Sequence, residues 1–211
     1  MSDGGTIDFA VSGTIQLIDT LRIEKSLTID GSDEIELRGR PEFSVVNVSD
    51  SDSSTDHDVV LHGLEITQGR TGISSSELLT IVKSTINDNR FSGLIGGGDM
   101  LVVDSTISRN GAGGIHAFGN ITISGSTISE NVSFIGGGIR ASNLTIESST
   151  VSGNSAQDRG GGIYVTSTAV LYNTTLSGNS SASGAGIYCG EPSIPLPSTL
   201  PNSRELCDLP R

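Results

Sequence analysis

Between Asn120 and Val165 the chain says the same thing twice. Residues 120–131 read Asn-Ile-Thr-Ile-Ser-Gly-Ser-Thr-Ile-Ser-Glu-Asn and lead to Gly136-Gly137-Gly138-Ile139. Residues 143–154 read Asn-Leu-Thr-Ile-Glu-Ser-Ser-Thr-Val-Ser-Gly-Asn and lead to Gly160-Gly161-Gly162-Ile163. Self-similarity at a nearly fixed period restricts a chain to architectures in which equivalent units stack, because each unit alone cannot bury its apolar face.

The repeat extends in both directions. Its central aliphatics are Ile66, Ile86, Ile107, Ile128, Val151 and Leu176, at steps of 20, 21, 21, 23 and 25 residues. Drift of this kind is what loop insertions between fixed strands produce. Five residues before each stand Leu61, Ile81, Val102, Ile123, Ile146 and Leu171, and seven before stand Val59, Leu79, Met100, Ile121, Leu144 and Ala169. A spacing of two predicts a short strand with one buried face. The next inward pair, Ser126 and Ile128 or Ser149 and Val151, is offset by an odd number and predicts a tight bend. A third strand follows the glycines, with Ile115 and Ala117, Ile139 and Ala141, Ile163 and Val165, and Ile187 and Cys189 facing inward. Three short strands per turn predict an all-β parallel β-helix of about eight or nine turns, each strand lying about 4.8 Å from its counterpart one turn away.

Asn89, Asn110, Asn131, Asn154 and Asn179 each stand three residues after a central aliphatic. They are expected to form an internal ladder, at a place suited to a residue that tolerates a left-handed bend and whose amide bonds to those above and below. The first 58 residues are less regular. Their paired aliphatics, Ile15 and Leu17, Leu21 and Ile23, Leu27 and Ile29, and Ile35 and Leu37, predict opening turns. Residues 1–190 thus form the solenoid, and residues 191–211, which include Pro192, Pro195, Pro197, Pro201 and Pro210, form a tail unable to continue a parallel sheet and expected to cap the last turn.

Composition agrees. Aromatic residues make up 4%, Trp is absent and Gly numbers 28, so the interior is built from small aliphatics. A formal charge of -12 argues against nucleic acid as a partner. No apolar run approaches the roughly 18 to 20 residues that cross a bilayer, and Met1-Ser2-Asp3-Gly4-Gly5 lacks the features of a signal peptide. Cys189 and Cys207 bracket the proline-rich segment; in an oxidising compartment they would close a loop of about 17 residues and contribute roughly 3 kcal/mol, and in a reducing one they would stay thiols.

The alternation of Gly-Gly-Gly-Ile with Ser-Thr-Ile-Ser-x-Asn over residues 94–190 resembles bacterial right-handed parallel β-helix repeat proteins, including the polymorphic outer-membrane protein repeats of secreted and autotransported surface proteins. The opening Gly5-Thr-Ile-Asp-Phe-Ala-Val-Ser-Gly-Thr-Ile-Gln-Leu and Lys25-Ser-Leu-Thr-Ile-Asp-Gly31 is similar to the first turns of large secreted members. The resemblance implies right-handed coiling, export, and a surface or matrix role.

Chemistry in such a fold must be assembled from matching positions of successive turns. On the third strand the outward ladder is Ile95, His116, Arg140, Tyr164 and Tyr188. Lyases and epimerases of this fold use such groups on uronate polymers, with Glu147 and Asp104 here as candidate acids. Asp50, Asp52, Asp56 and Asp58 crowd a polar loop that is a candidate calcium ligand set, although it lacks the central Gly and terminal Glu of an EF-hand. Thr85, Thr106, Thr127, Thr150 and Thr175, each paired with an outward Asn or Ser two residues later, form an array like an ice-binding face. The leading expectation is a monomeric, exported or cell-surface scaffold, adhesin-like, that presents outward ladders to a glycan or surface protein, with no required cofactor. The alternatives are a polysaccharide lyase or epimerase and an ice-binding protein.

Overall fold

The computed structural model of the chain describes residues 4–49 and 57–190. Among these residues there is no helix, and every strand pairing is parallel. Eight coils follow one another, each with three strand segments. The first face begins at Gly5–Asp8 and ends at residues 168–172. The second runs from Gly13–Gln16 to Thr175–Ser177, and the third from Leu21–Ile23 to Ile187–Cys189. The count lies within the expected eight or nine. The tail, residues 191–211, and Asp50, Asp52 and Asp56 lie outside the described residues.

Register is kept from coil to coil. Ile121 pairs with Leu144, Ile123 with Ile146, Ile107 with Ile128, Ile128 with Val151, and Ile115 with Ile139. Ile107, Ile128 and Val151 are each 0% exposed. Burying an aliphatic side chain of this size is worth about 1.5–3 kcal/mol, and every coil contributes several. The core is therefore a continuous column rather than a single central cluster.

Both bends on either side of the second face are built alike. At the first, Lys83, Asp104, Gly125, Ser148 and Asn173 take φ values of 47, 49, 59, 48 and 43°. The inward residue that follows is Ser84, Ser105, Ser126, Ser149 or Thr174. The Ser84 amide donates to Ser105 Oγ, Ser105 to Ser126 and Ser126 to Ser149, each at 3.1 Å. At the second bend the asparagine ladder forms as expected: the Asn110 amide and Nδ2 both donate to Asn131 Oδ1 at 3.0 Å, and Asn131 repeats this to Asn154. One part of the expectation is corrected. The left-handed residue is not the asparagine but the one before it, Asp88, Arg109, Glu130, Gly153 and Gly178, with φ of 52–64°; Gln68, before Gly69, takes the same conformation one coil earlier. The asparagine must aim its amide inward along the stack, and the residue preceding it makes the bend.

A fourth strand also appears. Val132–Ile135 and Ser155–Arg159 form a separate two-stranded parallel sheet, extended by bridges to Ser180 and Ser183. The later coils carry longer connections between the second and third faces, 8 residues from Asn131 to Ile139 against 5 from Asn110 to Ile115. Stacked on one another, the added residues satisfy their backbone groups by pairing.

Candidate functional site

The third face positions the residues singled out from the sequence. Period-two alternation buries Ile139 and Ala141 and leaves Arg140 between them outward. His116, Arg140, Tyr164 and Tyr188 occupy one rung position on four successive coils. The rings of Tyr164 and Tyr188 stack at 5.7 Å and 7°. The Arg140 guanidinium carbon lies 6.0 Å from the Tyr164 ring centre, and that of Arg159, from the side sheet, 5.3 Å from the Tyr188 ring. The result is a strip of two phenols flanked by two guanidinium groups. Among the described residues, the Arg140 guanidinium and both phenol hydroxyls make no hydrogen bond, which leaves their polar atoms for a ligand. At its other end His116 meets Phe118, ring centres 4.3 Å apart. Burial, and secondarily the Arg140 charge, hold the His116 pKa below its ordinary value, so its imidazole favours the neutral form.

The candidate acids are elsewhere. Asp104 is a left-handed bend residue between the first and second faces. Glu147 ends the segment of Ile139–Glu147 on the first face and accepts from Ser124 Oγ at 3.3 Å. A five-residue strand, roughly 16 Å long, separates that end from the third face, so the two acids do not join His116.

The five threonines are in register on the second face. Thr85, Thr106, Thr127 and Thr150 are half-buried and Thr175 is exposed. Of the row beside them, Asn87 and Ser108 are buried rather than open to solvent, at 7% and 3% exposure. The three-residue strands are too narrow for both flanking positions to stand free. Asp58 is exposed, and its amide donates to Ser26 Oγ at 3.3 Å. Among the described residues no three His, Cys, Asp or Glu converge as a metal site. Cys189 is disulfide-bonded; Cys207, the other cysteine of the expected pair, lies outside the described residues.

Sequence reasoning missed the serine ladder as a unit and an arginine group at the second bend of the early coils, Arg40, Arg70 and Arg90. The serines recur at 21 to 23 residues and were legible. Arg70 and Arg90, each four residues after a central aliphatic, Ile66 and Ile86, were legible in the same way; Arg40 sits in a longer connection, where spacing gives no guide.

Residues 43–194 match the family described as the right handed beta helix region. The chain belongs to that family. Its right-handed coil agrees with the parallel stacking above, and the match takes in the whole His116–Tyr188 strip. None of the curated proteins and none of the solved structures matches the chain.

Proposed function

We propose that this β-helix protein is an exported or cell-surface scaffold, adhesin-like, that presents the third-face strip to a glycan. The carrying observation is the in-register row of Arg140, Tyr164 and Tyr188, whose polar atoms have no partner among the described residues while the rings and guanidinium groups hold one another in place. Planar groups fixed by stacking lose little rotamer freedom on binding, which favours recognition of sugar hydroxyls and carboxylates. A disulfide at Cys189 supports an oxidising, extracytoplasmic setting. A glycan-array screen of the purified chain tests the reading. Binding is expected, and Tyr188→Ala and Arg140→Gln, both outward changes, should abolish it; retention of all binding in both variants would remove the strip from the function. Repeating the screen with a chelator reads any calcium held by Asp50, Asp52, Asp56 and Asp58.

A second reading, lyase or epimerase, is favoured by one observation. His116 is held neutral beside Arg140, as a base that removes a proton next to a sugar carboxylate would need to be. Turnover of uronic-acid polymers that is lost in His116→Ala and Tyr164→Phe would establish it, and the absence of turnover would leave the scaffold.

A further inference from the structure

On the early coils, the bend between the second and third faces carries a feature that the third-face strip does not use. A shallow, open groove of about 550 Å³ is lined by Gln16, Arg40, Gln68, Asp88 and Arg90, among others. The Arg90 amide donates to Gly69 O and the Phe91 amide to Arg70 O, so Arg70 and Arg90 occupy the same rung position on adjacent coils, about 4.8 Å apart along the stack. Both guanidinium groups lie against the Phe91 ring, at 5.4 and 5.6 Å. Like charges on neighbouring rungs repel, and in a chain with a net charge of -12 their juxtaposition is not a general basic background. Nearby arginines are neutralised: Arg109 holds Asp88 by two contacts of 3.0 and 2.8 Å, and Arg38 holds Glu36. Arg40, Arg70 and Arg90 have no carboxylate within ion-pairing distance among the described residues.

The geometry points to this groove as a binding site for an acidic oligosaccharide, with Arg40 and Arg90 receiving a carboxylate or sulfate and the amides of Gln16 and Gln68 bordering the sugar hydroxyls. A guanidinium fork suits either oxyanion, and the one carboxylate in the groove, that of Asp88, is already engaged by Arg109. An acidic peptide fits less well. The backbone lining most of the groove is paired between coils, Gly39 N to Thr67 O, Arg70 N to Phe43 O and Phe91 N to Arg70 O, so an extended chain could add only at the outer edge of Gly13–Gln16, three coils from Arg90. The site goes beyond the third-face reading and stands on other coils.

Calorimetric titration of the full chain with an oligogalacturonate, a sulfated dextran oligosaccharide, a neutral dextran oligosaccharide and polyglutamate tests it. At least one anionic sugar should bind, the neutral one should not, and salt should weaken the complex. Which anionic sugar binds separates carboxylate from sulfate. Arg40→Gln/Arg90→Gln should weaken binding by roughly tenfold or more. Arg22→Gln, an exposed arginine on the third face of the first coil, should not. Loss in Arg140→Gln alone would overturn this site and leave the third-face reading intact. Binding of neither anionic sugar, or equal weakening by Arg22→Gln, would overturn it, as would polyglutamate binding with the same arginine dependence and no sugar binding. The melting temperature is an independent readout: removing one of two repelling charges in Arg90→Gln should hold or raise it, and a fall of more than about 4 °C would mark the arginine as structural.

Discussion

A left-handed residue that is not glycine costs roughly 1–2 kcal/mol, and this chain uses one at Lys83, Asp104, Ser148 and Asn173 before the second face and at Gln68, Asp88, Arg109 and Glu130 after it. The cost is offset by the buried polar residue that follows. Asn131, 0% exposed, accepts from the Asn110 amide and side chain and donates from Nδ2 to Ile107 O and Asn154 Oδ1, each at 3.0 Å. Asn131→Ala leaves the Asn110 backbone amide without its acceptor in a dry interior and takes one bond each from Asn110 Nδ2, Ile107 O and Asn154 Oδ1; it should destabilise the fold by about 3 kcal/mol, as measured by urea denaturation, and a loss below about 1 kcal/mol would mean the ladder is replaceable. At His116 the issue is protonation. Its folded pKa is lowered, by burial and then by Arg140. Its contribution to stability is therefore complete above the ordinary histidine value and declines as pH falls through that value towards the folded one. Arg140→Gln should move the His116 titration, followed by NMR, upward but not fully to the ordinary value, because burial remains. An unmoved midpoint would show that the two side chains do not interact.

At the scale of the coil, the Gly-Gly-Gly runs let one backbone lie directly on the next. A Cβ at Gly138 would fall 2.6 Å from Gly162 O and 2.9 Å from Asn154 Nδ2, whereas one at Gly97 would meet nothing closer than 3.8 Å. Gly138→Ala should therefore lower the melting temperature clearly and Gly97→Ala hardly at all; equal effects would show that the stack can spread to admit a methyl group. These elements were unequally legible in the sequence. Ile107, Ile128 and Val151 announced their rungs because apolar burial leaves a fixed spacing. The bend residue did not, since Gln68, Asp88, Arg109, Glu130 and Gly153 share a conformation and no chemistry. The side sheet was hidden for a related reason: Val132–Ile135 and Ser155–Arg159 pair through backbone alone and carry no apolar period. The His116–Tyr188 strip was visible through its buried neighbours Ala117, Ala141 and Val165, while the groove at Arg40 and Arg90 depends on how unequal connections come together in space.

The whole molecule is one-dimensional: each coil touches the coil before and the coil after, and stability is close to a sum of coil and interface contributions. That makes length an adjustable property. Asn120 pairs with Asn143, Thr127 with Thr150 and Ile139 with Ile163, so residues 120–142 constitute one complete coil. With them deleted, residue 119 enters residue 143 as it entered residue 120, Ile107 rests on Val151, the Ser105 amide reaches Ser149, and the Asn110 side chain meets Asn154. The shortened chain should keep a β-sheet circular dichroism spectrum and a single cooperative melt at a lower temperature, having lost one coil and one interface. Deleting residues 120–131 alone removes the first- and second-face strands of that coil but keeps its side strand and third-face strand, joining residue 119 to the side strand at 132 so that the later rungs lose their register, and this variant should fail to fold natively. Equal behaviour of the two deletions would mean that coil-to-coil register does not hold the molecule together.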